Sequence, residues 1–190
     1  GRAVLDLCAA PGGNTAQLAA LGAQVTAVDN EPNRMTLVQA NLERLNLQAE
    51  TVVADILTWR PEKPFDFILL DAPCSATGTI RRHPDIWHLR SAKVPKEMAL
   101  VQDGMLAAAV EMLAPGGTIV FCTCSLQPEE GEDRIEALLA SGKSVSRWPI
   151  TADELFGLEE LITPLGDMRT LPHYLGGMDG FYACRLVRDA

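Results

Sequence analysis

The chain has 190 residues, 47% of them apolar, with a formal net charge of −9 at pH 7. That length suits one domain with a full core and is short for two, and the apolar share excludes wholesale disorder. No apolar run approaches the ~20 residues of a membrane span, and no signal-peptide pattern opens the chain.

Gly1 comes first and an apolar run is under way by Val4, so the sequence reads as a fragment cut just before its first strand. Cys8, Cys74, Cys122, Cys124 and Cys184 are odd in number and set among apolar residues. They indicate free thiols in a reducing, cytoplasmic protein rather than a disulfide framework. No metal is expected: Cys122-Thr123-Cys124 has no second pair at zinc spacing, and His83, His88 and His173 are dispersed. The acidic balance weighs against a nucleic-acid partner, because Lys and Arg supply most phosphate affinity. The local exception is Arg81-Arg82-His83, followed by Arg90, Lys93 and Lys96, which taken alone is a solvated loop. Charge by itself favours a small-molecule substrate, or an RNA enzyme whose main binding surface lies on another segment.

In chain order, Ala3–Cys8 is a short apolar run ending in a Pro-Gly-Gly turn, and Asn14–Leu21 reads as a helix closed by Gly22. Gln24–Val28 is a second strand, ending at Asp29. Pro32 suits a helix start, and Met35, Leu37, Val38, Leu42 and Leu45 recur at roughly helical spacing. Thr51–Ala54 and Phe65–Leu70 are strands, the latter nearly continuous in apolar residues, as in a parallel sheet buried on both faces. Glu97–Leu113 reads as a helix ended by Pro115-Gly116-Gly117, Thr118–Cys122 as a buried strand and Pro128–Leu139 as another helix. The pattern weakens from Ser141 to Gly177, with one strand and loops, and Phe181–Val187 closes the sheet antiparallel. Alternating strands and helices imply a doubly wound α/β sheet, with ligands beyond the carboxyl ends of its strands. Asp29, Asp71 and Cys124 all fall at or just past such an end.

The turn Cys8-Ala9-Ala10-Pro11-Gly12-Gly13 lets a ligand approach the backbone at a helix N-terminus. It is not G-x-G-x-x-G, so nothing specific cradles a pyrophosphate. Asp29 can accept hydrogen bonds from ribose hydroxyls, and Asp55, ending the third strand, can meet an adenine edge. Each is also an ordinary strand-end residue, but the three features in order favour a nucleoside without phosphates, S-adenosylmethionine before NAD.

Asp71-Ala72-Pro73-Cys74-Ser75-Ala76-Thr77-Gly78 leaves the fourth strand and Cys122-Thr123-Cys124-Ser125 the fifth. Neighbouring strands would bring Cys74 and Cys124 to one crevice edge near Asp71. Carbon 5 of cytosine becomes nucleophilic only after a thiolate adds at carbon 6, and a carboxyl group on the ring nitrogen steadies the developing charge. Buried cysteines are often inert, which is the reading for Cys8, Cys122 and Cys184. Of Cys74 and Cys124, chemistry alone does not choose the nucleophile, although a helix starting at Pro128 would lower the pKa of Cys124.

Together, DLCAAPGG, DAPCSATG and TCSLQPEE resemble the Nop/Sun family of RNA cytosine-5 methyltransferases, in the family's order along nearly the whole chain. The RRHPDI stretch at 81–86 is most similar to the bacterial subgroup acting on 16S ribosomal RNA. The resemblance implies a Rossmann-like class I methyltransferase fold: a mostly parallel seven-stranded sheet, helices on both faces and an antiparallel last strand. It implies S-adenosylmethionine as cofactor and RNA as partner, ribosomal RNA or a small-subunit assembly intermediate. Cys124 would attack, Cys74 would promote release, and Cys8–Asn14, Asp29, Asp55 and Asp71 would meet cofactor or base. Asn14 stands where the family usually has Lys, and the chain would be a catalytic domain without the family's N-terminal RNA-binding portions. Two other readings are an amine methyltransferase, disfavoured by DAPC in place of N-P-P-aromatic, and an RNA chaperone without turnover.

Overall fold

The computed structural model describes residues 1–89 and 91–189; Arg90 of the basic stretch lies outside them. The strands are β1 (Ala3–Leu7), β2 (Gln24–Asp29), β3 (Glu50–Val53), β4 (Phe65–Asp71), β5 (Leu113–Thr123), β6 (Val145–Arg147), β7 (Met168–Thr170) and β8 (Phe181–Arg188). The helices are α1 (Gly13–Ala20), α2 (Pro32–Leu45), α3 (Ile86–Leu89), α4 (Val94–Met112) and α5 (Glu132–Ala140). The sheet runs β3-β2-β1-β4-β5-β8-β6, with β7 also on β8. Neighbours from β3 to β5 are parallel, and β8 runs antiparallel to β5, as expected.

Two cores follow from the two-residue period of the strands. Ala27 of β2 faces a cluster with Met35, Val38 and Leu42 of α2 and Ala16 of α1. Val28, the next residue, faces a larger cluster with Leu5, Leu7, Leu70, Phe121, Leu106 of α4 and Ile135 of α5. Helices therefore cover both faces. The chain leaves β1 toward β2 and β3, then returns across to β4 on the other side. That reversal between β1 and β4 opens a crevice at their carboxyl ends.

Four expectations need correction. The sheet has eight strands rather than seven, because β7 pairs with Thr170↔Phe181 through Met168↔Ala183 while β6 pairs with the far half of β8. Three-residue strands are too short to leave a periodic signal. Pro115-Gly116-Gly117 lies inside β5 as an irregularity: Phe65 pairs with Leu113 and Phe67 with Thr118. α4 begins at Val94, with Pro95 in its first turn, where the missing N–H has no cost. The expected single helix from Pro128 is a 3₁₀ turn (Pro128–Glu130) followed by α5. Among the described residues no helix is long and apolar enough to cross a membrane.

Candidate active site

The first half of the site is the loop between β1 and α1. Cys8 takes a left-handed φ of 63° and Gly12 one of 100°. At Gly12 the conformation demands glycine, and a Cβ there would also meet the Val38 backbone at 3.0 Å. Asp29, 2% exposed, fastens this loop to β2. Its Oδ2 accepts from the Ala10 N–H at 3.2 Å and its Oδ1 from the Glu31 N–H at 3.1 Å. Arg34 donates to the Ala10 carbonyl at 2.8 Å and stands 3.8 Å from Asp29.

Beneath the loop, Asp6 is fully buried and accepts from the Thr15 hydroxyl at 2.5 Å. Burial raises its carboxyl to about 6; the Thr15 hydrogen bond opposes this and the Asp71 and Asp29 carboxylates add to it. Among the described residues its Oδ1 has no hydrogen-bond partner. Burial, reinforced by Asp29 and Asp71, pushes the Cys8 thiol up to about 12, which removes Cys8 as a nucleophile near neutral pH.

A cavity of about 340 Å³ opens here, lined by Cys8, Asp29, Asp55, Ile56, Asp71 and Met105 among others. Asp55 lies just past β3, exposed, its Oδ1 accepting from the Leu57 N–H at 2.9 Å. A larger groove of about 830 Å³ sits at the opposite, amino ends of β2, β3 and β4, lined by Gln24, Glu50 and Phe65. It lies at the end of the sheet away from Asp29, Asp55 and Asp71, so the candidate cofactor site is the smaller cavity. Carboxylates without a phosphate cradle suit a cationic nucleoside there, and the orphaned oxygen of Asp6 lies below the same loop.

The second half lies where β4 and β5 end side by side. Asp71 pairs with Cys122, and the Ala72 N–H donates to the Cys122 carbonyl at 2.9 Å. That register brings the Cys74 and Cys124 sulfurs to 3.5 Å. Ala76, in the same loop as Cys74, takes a left-handed φ of 59°, uncommon for a residue with a Cβ. Asn14 Nδ2 donates to Asp71 Oδ2 at 3.0 Å and so joins the two halves. Burial raises the Asp71 carboxyl, with the hydrogen bonds from Asn14 and Cys122 opposing it.

The hydrogen bond between the thiols, together with burial, pushes Cys74 well up, the direction of a thiol that keeps its proton. Accepting that bond draws Cys124 below the ordinary thiol range, against burial and the Asp71 and Glu130 carboxylates. The neighbouring thiol is the largest cause of that lowering, and the turn behind Cys124 is 3₁₀ (Pro128–Glu130) ahead of α5. Cys122 and Cys184 are buried in the sheet, and burial raises both.

Sequence reasoning missed Glu130, which looked like part of a helix start. It is fully buried and takes hydrogen bonds from both cysteine loops. Only its place in TCSLQPEE hinted at a site. The basic stretch lies beside these loops. A hollow of about 380 Å³ is lined by Ser75, Thr77, Ile80, Trp87, Leu126 and Gln127. Trp87 is 74% exposed. Arg81, Arg82, Lys93 and Lys96 are exposed, Arg82 pairing with Asp179.

Sheet order, antiparallel last strand and crevice together define the class I methyltransferase fold. The family model described as 16S rRNA methyltransferase RsmB/F matches residues 1–187. The chain belongs to that family, which bears out the Nop/Sun resemblance. It is 44% identical over 193 residues to "Ribosomal RNA small subunit methyltransferase B" of Cronobacter sakazakii, covering 99% of this chain and 42% of that protein. The same-named protein of Pseudomonas syringae is 43% identical over 196 residues, covering 100% and 43%. The chain thus spans about two fifths of the length of the curated relatives it matches. Among solved structures, NSun6 from Pyrococcus horikoshii with SFG superposes with a TM-score of 0.84 at 26% identity, covering 100% of this chain and 48% of that one. A methyltransferase homolog protein from the same organism gives 0.78 at 30% identity, covering 99% and 62%.

Proposed function

We propose that this chain is the catalytic domain of an S-adenosylmethionine-dependent methyltransferase that modifies carbon 5 of a cytosine in 16S ribosomal RNA. The observation that carries the reading is the Cys74–Cys124 pair, 3.5 Å apart at the crevice edge beside Asp71. S-adenosylmethionine supplies an electrophilic methyl group on a sulfonium when bound; Cys8, Ala10, Asp29 and Asp55 line its crevice, and the rest of the Cys8–Asn14 loop would meet it from the rim.

Cys124 adds as thiolate to carbon 6 of the cytosine, and the pair of electrons so displaced makes carbon 5 nucleophilic. Asp71, raised toward its protonated form by burial, hydrogen-bonds the ring nitrogen and offsets the charge that develops there. After methylation the carbon 5 proton leaves to solvent and the Cys124–carbon 6 bond breaks. Cys74, kept as a thiol, donates a hydrogen bond to the sulfur of Cys124 and stabilises it as leaving group. That bond serves both ends of the reaction, since it also favours the thiolate before attack.

RNA reaches the site across the exposed basic stretch, and the remainder of the full-length protein supplies further RNA grip. This partition reconciles the net charge of −9 with a polyanionic substrate. Work on ribosomal RNA in the cytoplasm is in keeping with five free thiols.

In the full-length protein, Cys124→Ala should abolish methyl transfer to unmodified ribosomal RNA while cofactor binding persists. Cys74→Ala should accumulate a protein–RNA adduct that survives denaturation. Undiminished transfer by Cys124→Ala refutes the reading, and an adduct formed only when Cys74 is present reverses the two roles.

A further inference from the structure

We propose that Glu130 is a positioning residue that fixes the separation of the two reactive cysteines by tying together the residues that follow them. Ser75 follows Cys74 and Ser125 follows Cys124, and both meet the one carboxylate. Glu130 Oε1 accepts from the Ser75 N–H at 2.7 Å. Its Oε2 accepts from the Ser125 hydroxyl at 2.6 Å and from the Ser75 hydroxyl.

Every hydroxyl in this cluster has one orientation. Ser125 Oγ, having donated to Glu130, accepts from the Gln127 N–H at 3.1 Å and lies 3.2 Å from Thr77 Oγ1. Thr77 Oγ1 in turn accepts from the Leu126 N–H at 2.9 Å. Backbone bonds complete the clamp, with the Gly78 N–H donating to the Cys124 carbonyl at 2.9 Å.

A role in folding alone does not account for a carboxylate here. Ser75 and Ser125 already approach each other at 3.3 Å, and two hydroxyls could close the loops without a charge. Among the described residues Glu130 has no cationic partner, its neighbour Arg169 being paired with Glu132. An unpaired buried charge costs several kcal/mol. What the carboxylate adds is acceptor capacity: it takes three donors from two loops at once, where a hydroxyl cannot. The register of β4 with β5 places the loops side by side, and Glu130 fixes the last few tenths of an ångström between the sulfurs.

The inference takes Cys74 and Cys124 as the working pair, but the distance it concerns can be measured without RNA. Diamide oxidises two neighbouring thiols to a disulfide, and mass spectrometry of the Cys74–Cys124 peptide reads the rate. Glu130→Ala should slow this cross-link at least about tenfold, since disulfide formation demands close Cβ approach. Glu130→Asp, shorter by one methylene, should behave alike, and Glu130→Gln, of the same shape but with one acceptor oxygen, should slow it less than Glu130→Ala. Removing the charge in Glu130→Gln should also move the pH profile of Cys124 alkylation to lower pH, an effect that a purely structural role would not produce.

If Glu130→Ala fails to fold, Ser125→Ala removes one arm of the clamp and should slow the cross-link several-fold. Wild-type cross-linking in a folded Glu130→Ala, or in Ser125→Ala where the former does not fold, overturns the proposal. In the full-length enzyme, slowed cross-linking should accompany lower kcat at unchanged cofactor affinity. A wild type without methyl transfer refutes the proposed function, and one with transfer but with cross-linking indifferent to Glu130 refutes only this inference.

Discussion

Asp6 makes the fold pH-dependent in a way that can be measured on the isolated chain. Its carboxyl is fully buried, has one hydrogen bond from Thr15 and one orphaned oxygen, and titrates near about 6 instead of 3.8. The folded state therefore holds the proton more tightly than the unfolded chain. The corresponding stabilisation is complete below pH 3.8 and is lost as pH rises through about 6. A displacement from 3.8 to about 6, at 1.36 kcal/mol per pH unit, corresponds to about 3 kcal/mol. Asp6→Asn keeps the acceptor for Thr15 and cannot ionise. Urea unfolding of both proteins from about pH 4 to about pH 7.5 should show wild type losing about 2.5 kcal/mol relative to the variant, most of it below about pH 6.5. Parallel curves, constant within ~0.5 kcal/mol, would refute the reasoning. A cation bound in the crevice favours the ionised carboxylate, so S-adenosylmethionine affinity should weaken as pH falls through the same range.

Three further tests address the site. Asn14→Ala removes the donor to Asp71, so the Asp71 carboxyl should titrate higher still and the Asp71-dependent limb of the transfer pH profile should move up; Asn14→Lys should move it down, because an adjacent cation favours the carboxylate. Gly78→Ala would set a Cβ 2.0 Å from the Gly180 carbonyl oxygen and 2.8 Å from that of Cys124. Since the obstacle is backbone, the loop must move, at a cost of about 3 kcal/mol in urea unfolding and with slower Cys74–Cys124 cross-linking. Replacing Arg81, Lys93 and Lys96 with Glu should lower RNA affinity in filter binding and flatten its salt dependence, with cofactor affinity unchanged.

Charge is divided within the molecule. The crevice is acidic, with the Asp29 and Asp71 carboxylates raising both Asp6 and Cys8. The basic residues of 81–96 stand outside it. An acidic crevice suits a cationic cofactor and repels phosphate, so under the proposed function the RNA would present an extruded base while its backbone stays on the basic rim.

The order of elements was legible in the sequence because periodicity is local. Each run such as Phe65–Leu70 or the Met35, Val38, Leu42 spacing depends only on residues a turn or a few strand positions apart. The strand ends also followed, and with them the positions of Asp29 and Asp71 and the meeting of Cys74 with Cys124, as neighbouring parallel strands deliver their carboxyl ends to one edge. The tertiary structure decided what depends on contacts between distant residues. That the two thiols meet at 3.5 Å, across 50 positions, emerged only from their geometry. So did the joining of Asn14 to Asp71 and the burial of Glu130 under Ser75, for which no local pattern exists. β7 is recognisable only by its partner, and Pro115-Gly116-Gly117, a turn signal by composition, became part of β5 because Phe65 and Phe67 pair on either side of it. A paired thiol at a crevice edge is legible in the sequence; its ionisation is a property of the fold.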